Sequence, residues 1–298
     1  MSGTDVDVLL PAATPLAVGP ILAALAAHAV PGVEEVDRAA GSVRRTVRGA
    51  HGPAVVSLRL TPTAVRAEVA LAHPGDGDAV VARLRRWFDL DTDVAAVDAH
   101  LATDAVLAPL VAARPGLRVL GHVDGFEAAA TTVLGQQVSL AAARTFAARL
   151  VAALGGPVPA TGSGGAGLRT FPSPEVLADA GASVVREATG VTGSRARTLH
   201  ALATACAAGL RIEPDQDPVA TRAALLAVPG VGPWTVDYLA LRAMGDRDAL
   251  PSGDLVLRRA LGGASAAAAV AAAGAWRPWR AYAVTHLWTA AAYLRRAH

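Results

Sequence analysis

The segment LLAVPGVGPWTVDYLAL, residues 225–241, holds two apolar, helix-like runs that are interrupted by the tight turn PGVG. Gly230 and Gly232 have no Cβ, so the backbone can turn sharply here and approach another molecule closely. Gly232 also opens the second helix, whose first amide groups have no partner and lie at the positive end of the helix dipole. Such a turn can bind an anion such as a phosphate. The alternative is an ordinary corner between two packed helices.

Asp254, in the segment ALPSGDLVLRRAL, is the second residue whose position could do chemistry. Pro251, Ser252 and Gly253 predict a turn that leads into a helix, and Asp254 could serve only as the N-cap of that helix. A lone carboxylate at the mouth of a cleft could instead stabilise a developing cation or orient a water molecule. Both interpretations stay open on these residues alone.

Aromatic residues make up only 4% of the chain, yet they cluster after residue 230. Trp234 and Tyr238 are four residues apart on the helix that follows PGVG, so their side chains share a face. The last helical region contains Trp276, Trp279, Tyr282, Trp288 and Tyr293. Aromatic residues spaced in this way usually pack in a core. The functional alternative is a pocket in which they stack on a flat, cationic ring.

The composition narrows the possible functions. Cys206 is the single cysteine, which excludes an intrachain disulfide framework, a four-cysteine iron–sulfur cluster and a cysteine-rich zinc site. All 27 basic residues are arginine, since the sequence contains no lysine. No Asp or Glu follows Asp254, whereas this part of the chain contains Arg258, Arg259, Arg277, Arg280, Arg295 and Arg296. Such a basic face would suit a polyanion.

The periodicity of the apolar residues predicts a framework in two parts. Residues 1–97 predict an α+β domain, a small antiparallel sheet with helices, because helical spacing at 15–30 and 78–90 flanks the alternating runs TVRGAHGPAVVSLRL and AVRAEVALA. Residues 98–298 predict an all-α domain. The expected helices of the region that starts near residue 93 are 94–113, 124–154, 173–189, 194–209, 216–228, 232–244, 254–262 and 277–296. With no membrane-spanning run and no secretory signal, we expect a cytoplasmic protein.

In the order and spacing of its motifs, the chain resembles the helix-hairpin-helix DNA glycosylases, specifically the alkylpurine (3-methyladenine) DNA glycosylase II family. The matching motifs are DGFEAAATTVLGQQVSLAAARTFAARL, LLAVPGVGPWTVDYLALRAMG, ALPSGDLVLRRAL and WRPWRAYAVTHLWTAAAYL. The resemblance implies that the α+β domain is followed along the chain by an all-α helix-hairpin-helix glycosylase domain. It also implies an enzyme that flips an alkylated purine out of duplex DNA and hydrolyses its N-glycosidic bond, leaving an abasic site for base excision repair.

The resemblance assigns roles to single residues. Asp254 falls at the catalytic aspartate of the family, and Trp234, Tyr238 and Trp288 fall at positions that line the base pocket. The residues expected to contact DNA are Gln136, Gln137, Val138, Ser139, Gly230, Val231 and Gly232. Gln137 stands where the family has an apolar side chain that fills the gap left by the flipped nucleotide. The hairpin carbonyls can hold a structural monovalent cation, and we expect no other cofactor and no catalytic metal.

The chemistry expected of the pocket follows from the charge of the substrate. An alkylated purine is a cation and hence an activated leaving group, while a carboxylate below the sugar stabilises the oxocarbenium character that develops there. Stacked aromatic rings bind the electron-poor base. Relatives that also cut the strand use a lysine amine at the position of Trp234. Because this chain has no lysine, we expect a monofunctional glycosylase without lyase activity.

Two other functions remain open at this stage. One is a related glycosylase for deaminated or oxidised purines, and the other is a non-catalytic helix-hairpin-helix protein that only binds DNA. In each case the expected partner is double-stranded DNA, which for the glycosylases contains damaged bases, and the chain is expected to be a monomer.

Overall fold

The structure is a computed structural model that describes residues 4–158 and 167–293. Its N-terminal part contains a five-stranded antiparallel sheet with the strand order β1-β5-β4-β3-β2. The strands are β1 (Thr4–Pro11), β2 (Glu34–Asp37), β3 (Ser42–Arg48), β4 (Pro53–Leu60) and β5 (Ala64–Leu71). The two alternating runs in the sequence correspond to β3, β4 and β5. The edge strands β1 and β2 were not predicted, although β1 pairs with β5 along its whole length.

Helices make up the rest of the described chain. They are α1 (Val18–His28), α2 (Gly77–Trp87), α3 (Val94–Leu101), α4 (Ala108–Ala113), α5 (Gly125–Gly135), α6 (Leu140–Leu154), α7 (Pro174–Thr189), α8 (Gly193–Ala207), α9 (Pro218–Leu226), α10 (Pro233–Arg242), α11 (Leu255–Ala260), α12 (Ala266–Ala272) and α13 (Arg280–Trp288). The predicted class, an α+β domain followed by an all-α domain, is confirmed. In the described part of the chain, no helix is long and apolar enough to cross a bilayer.

Three details of the helix prediction were wrong. Residues 94–113 form two helices, because α3 ends at Leu101 and a turn follows, in which Asp104 Oδ1 accepts the amides of Val106 and Leu107 before α4 begins. Residues 124–154 also form two helices, α5 and α6, with a turn between them. The alanine-rich helix α12 was not predicted, although Ser265 caps it by accepting the amide of Ala268.

The buried apolar residues of the described chain form two clusters. One lies between the sheet and the helices α1 and α2, and contains Ile21, Leu84 and Trp87. The other fills the helical part and contains residues of α5, α8, α10 and α13. Arg45 of β3 crosses between them and donates to Glu127 of α5 at 2.7 and 2.8 Å. This buried ion pair therefore joins the sheet to α5.

Candidate active site

The turn between α9 and α10 has the backbone that its glycines predict. Gly230 has a φ of +86°, and a Cβ built on it would lie 2.0 Å from Thr198 Oγ1. Gly232 is the N-cap of α10, and no side chain of the described residues caps the first turn of that helix. Pro233 follows it and has no N–H of its own. The amides at the start of α10 are therefore open to an external anion.

A second turn, between α5 and α6, is fastened to this hairpin. Gln136 Nε2 donates to the Gly230 carbonyl and to Thr235 Oγ1, both at 3.2 Å. The Arg195 guanidinium in turn donates to the Gln136 carbonyl. These bonds keep the two turns next to each other, as would be needed for both to contact one stretch of DNA.

Residues 137–140 form the exposed part of this second turn. Gln137 has a φ of +55°, a left-handed conformation that is uncommon for a residue with a side chain. Ser139 caps α6 by accepting the amide of Ala142 at 3.2 Å. Val138 and Leu140 are 36% and 43% exposed although both are apolar. Strain and exposed apolar surface at one place are typical of functional sites.

Asp254 caps α11 and also contacts the aromatic residues. Its Oδ1 accepts the Leu257 amide at 2.8 Å and the Trp288 indole N–H at 2.9 Å. Its Oδ2 accepts the Trp234 indole N–H at 3.2 Å. Both interpretations of Asp254 thus hold structurally: it is an N-cap, and its carboxylate is fixed in the middle of the aromatic cluster. A carboxylate has about four acceptor positions, so one on Oδ2 stays open for a water molecule.

The three pocket aromatics form one continuous wall. Trp234 and Tyr238 stack with ring centroids 5.5 Å apart and an interplanar angle of 25°. Tyr238 and Trp288 lie 5.7 Å apart at 44°. Trp276, by contrast, is buried and donates its indole N–H to Asp104 at 3.0 Å. The aromatic stripes therefore divide into a pocket wall and a core.

A single cavity of about 1030 Å³ brings the predicted site residues together. Its lining includes Gln136, Gln137, Val138, Ser139, Gly230, Gly232, Trp234, Tyr238, Asp254 and Trp288. Val231 is the exception, since its side chain is only 7% exposed and packs in the core. Any contact of Val231 with DNA would be made by its backbone. The volume exceeds that of a purine base and is large enough for a small ligand.

The inner end of the cavity is charged, which the sequence did not reveal. Arg45 is 2% exposed and donates to Glu34 at 2.7 Å as well as to Glu127. Its guanidinium also lies over the Trp87 ring, 5.2 Å from the ring centroid. Burial raises the pKa of Glu127 to about 7 and also raises the pKa of Glu34. The one available signal was Arg45 itself, a charged residue at an inward position of β3.

The C-terminal basic face is less basic than its sequence predicts. Arg277 and Arg280 both pair with Asp248, at 3.1 and 2.8 Å. Arg258 donates to the Ala264 carbonyl at 2.7 Å. Arg259 is exposed, and residues 295 and 296 lie outside the described chain. Most of the described arginines of this face thus have protein partners.

Comparison with known proteins identifies the family to which this chain belongs. The AlkA N-terminal domain family matches residues 7–124, and the HhH-GPD superfamily of base excision DNA repair proteins matches residues 130–270. DNA-3-methyladenine glycosylase 2 of Escherichia coli is 34% identical over 70% of this chain and 70% of its own length. The chain belongs to the DNA-3-methyladenine glycosylase 2 family. The resemblance drawn from the motifs is confirmed.

A longer relative and two solved structures complete the comparison. The probable bifunctional transcriptional activator/DNA repair enzyme AlkA of Mycobacterium tuberculosis is 43% identical over 97% of this chain, which spans only 58% of that relative. The 3-methyladenine DNA-glycosylase of Archaeoglobus fulgidus is 20% identical, has a TM-score of 0.80 and is covered over 98% of its length by 96% of this chain. The apo 8-oxoguanine glycosylase/lyase of Clostridium acetobutylicum is 16% identical, has a TM-score of 0.72 and is covered over 98% by 97% of this chain. At these identities the two structures show a shared fold alone.

Proposed function

We propose that this chain is a monofunctional DNA glycosylase that hydrolyses the N-glycosidic bond of alkylated purines of the 3-methyladenine and 7-methylguanine type. The observation that carries the proposal is the Asp254 carboxylate, which two indole N–H groups hold inside an aromatic cavity beside the helix-hairpin-helix turn. Family membership supports the same reaction class. A protein that only binds DNA has no use for a carboxylate in such a cavity.

The reaction begins with binding and base flipping. The open amides of the hairpin bind a DNA phosphate without regard to base sequence. The target base then leaves the duplex, since its glycosidic bond cannot be reached inside the stack. The exposed Gln137, held in its left-handed conformation at the cavity rim, fills the gap that the base leaves. Gln136 keeps this turn in register with the hairpin.

Bond cleavage takes place between the aromatic wall and Asp254. Trp234, Tyr238 and Trp288 bind the cationic base by stacking and cation–π attraction. As the bond from C1′ to the base nitrogen breaks, its electron pair neutralises the leaving base and positive charge develops on the sugar. Asp254 stabilises that charge and orients a water molecule, whose oxygen bonds to C1′ as its proton passes to solvent. The products are the free base and an abasic site.

No cofactor takes part in this scheme, and a monovalent cation has at most a structural place at the hairpin. The Gly230 carbonyl accepts one hydrogen bond, from Gln136, and keeps a second lone pair. Carbonyl oxygens are suitable ligands for a hard cation. The hairpin therefore fits such an ion, which would fix the turn but would not touch the base.

The absence of lysine supports hydrolysis without strand cleavage. The lyase in the structural comparison shows that this fold also serves strand-cutting enzymes, so the fold does not decide the question. A Schiff base needs an amine, and this chain has no lysine side chain to supply one. Trp234 stands at the position from which the lysine of such enzymes acts. We further propose that the chain acts as a monomer on damaged duplex DNA in the cytoplasm.

The test is incubation of the protein with methylated duplex DNA, followed by separate assays of free bases, strand nicks and borohydride-trapped protein–DNA adducts. We expect free methylpurines, no nicks before alkali and no internal covalent adduct. Release of bases together with an adduct at an internal residue would contradict the monofunctional mechanism. Tight binding to the DNA without release of any base would show that the chain is a binding protein.

A further inference from the structure

The cavity has a hydrogen-bonding pair beyond its aromatic wall that the mechanism does not use. His28 is the last residue of α1, and Tyr293 ends the π-helical segment Thr289–Tyr293 that follows α13. His28 Nε2 and the Tyr293 hydroxyl are 2.9 Å apart, and the two rings meet edge-on at 5.5 Å and 77°. The pair joins residues 265 positions apart, and both side chains line the cavity.

The position of the pair follows from the other residues that line the cavity. Asp254, Tyr238, His28 and Tyr293 all line it, and Tyr238 is the middle ring of the aromatic wall. A purine whose sugar lies at Asp254 and whose face lies on Tyr238 would extend its far edge into the part of the cavity that Tyr293 and His28 line. That edge carries position 6 of the ring.

His28 is neutral in this setting. Burial, assisted by the positive charges of Arg242 and Arg144, lowers its pKa to about 3. Burial also raises the pKa of Tyr293, so its hydroxyl keeps its proton. A neutral imidazole has one nitrogen that donates and one that accepts, and a phenol hydroxyl can do both. The short contact between them can therefore form in either direction.

The two directions leave different groups for a ligand. When the His28 Nε2–H donates to the Tyr293 oxygen, the tyrosine O–H is free to donate to the base. When the tyrosine O–H donates to Nε2, the tyrosine oxygen is free to accept from the base. The change needs only the other imidazole tautomer and a rotation of the hydroxyl, with no charge created. Guanine-type purines accept a hydrogen bond at O6, and adenine-type purines donate one at N6.

We propose that the His28–Tyr293 pair contacts position 6 of the flipped purine and that its two hydrogen-bond directions let one pocket accept both 6-oxo and 6-amino bases. This inference rests on the proposed glycosylase function and adds to it the two residues that contact the 6-substituent of the base. A fixed donor or a fixed acceptor at this place would leave a buried polar group unpaired with one of the two base types. The pair removes that penalty.

The experiment uses methylated duplex DNA, which contains 7-methylguanine, a 6-oxo base, and 3-methyladenine, a 6-amino base. Both bases are cations in DNA, and at position 6 one carries an oxygen and the other an amino group. We would measure the ratio of the two bases released in one reaction. The ratio does not depend on how much of a variant is folded. Thermal unfolding of each variant reports its folding separately.

His28→Arg makes the partner of Tyr293 a donor only, which commits the tyrosine O–H to the base. We expect the ratio of 7-methylguanine to 3-methyladenine release to rise about tenfold, the value of one hydrogen bond gained or lost. His28→Gln keeps a donor and an acceptor and should leave the ratio within about twofold of native. His200→Arg is the control, because His200 lies outside the cavity and its ring hydrogen-bonds to the Ala178 carbonyl.

Tyr293→Phe removes the hydroxyl and its contact with either base. Release of both bases should fall about tenfold, with their ratio close to native. A native ratio in His28→Arg, or native rates in Tyr293→Phe, would overturn the inference. Both outcomes are distinct from failure of the proposed function, which would appear as no base release by the native protein and would overturn this inference too.

Discussion

The two ends of the cavity are built in different ways. At the mouth, Asp254 is partly exposed, and its partners are two indoles and a backbone amide, so a single carboxylate stands among neutral donors. At the inner end, Arg45 is held by two carboxylates and almost no surface is exposed. The mouth therefore keeps an acceptor position open for chemistry, while the inner end satisfies its own charges and joins the sheet to the helices. We infer that the mouth determines activity and the inner end determines stability.

The largest expected effect on stability is at the inner end. Glu127→Ala leaves Arg45 with one carboxylate in a buried place, and we expect a loss of about 3 kcal/mol in the free energy of unfolding. Glu35→Ala is the matched control, since Glu35 pairs with Arg44 at 2.8 Å but is 55% exposed, and it should cost less than about 1 kcal/mol. Denaturant unfolding measures both. Equal losses would show that burial of the Arg45–Glu127 pair does not increase its contribution to stability.

The next effect is on activity, at the mouth. Trp288→Phe keeps an aromatic ring but removes the indole N–H that orients Asp254, and we expect base release to slow by roughly 10- to 100-fold. Trp276→Phe is the control because its indole donates to Asp104, outside the cavity. Single-turnover release measured on folded protein compares the two. If both variants slow equally, orientation of Asp254 is not what Trp288 contributes.

A pH dependence separates the two ends further. Burial raises the pKa of Glu127 from 4.5 to about 7, so in this range the folded chain holds a proton that the unfolded chain has released. The stability that Glu127 contributes is thus fully present below about pH 4.5 and falls by up to about 1.4 kcal/mol per pH unit until about pH 7. The stability of the native protein relative to Glu127→Gln should decrease across this window. A constant or rising difference in urea unfolding would contradict the raised pKa.

The smallest expected effect is on DNA binding, by Gln137 at the rim of the cavity. Gln137→Ala shortens the side chain that fills the duplex gap, and we expect lesion-containing DNA to bind a few-fold more weakly while undamaged DNA binds as before. Gln216→Ala is the control, because Gln216 is a partly exposed glutamine outside the cavity whose side chain donates a hydrogen bond to Asp215. Titration at one fixed salt concentration compares the variants. Equal weakening on both DNAs would assign Gln137 to phosphate contact instead.

Sequence patterns predicted the mouth better than the inner end for a physical reason. The hairpin and the aspartate are each contained in a short segment, where glycine, proline and an N-cap residue act locally. The helix periodicity likewise places Trp234 and Tyr238 on one face. Arg45 and Glu127 are 82 residues apart, and their pairing depends on how the sheet packs against α5. His28 and Tyr293 are 265 residues apart and meet only because α1 packs against the segment that follows α13.

The errors in the prediction of the fold have similar origins. The edge strand β1 depends on pairing with β5, and the break between α3 and α4 depends on an aspartate that forms a turn inside an otherwise helical pattern. The basic face was overestimated because charge counting does not show that Asp248 binds two of its arginines. The domain boundary after residue 97 stays a prediction.

The most direct test of the account is base release from methylated duplex DNA by the native protein and by Asp254→Asn. Asparagine keeps the side-chain oxygen that caps α11 but removes the charge, and we expect release to fall by roughly 10³-fold while DNA binding is retained. Asp104→Asn is the matched control, because Asp104 also accepts backbone amides and an indole N–H, yet lies outside the cavity. Base release by Asp254→Asn at the native rate would contradict the account, because Asp254 would then be only a helix cap.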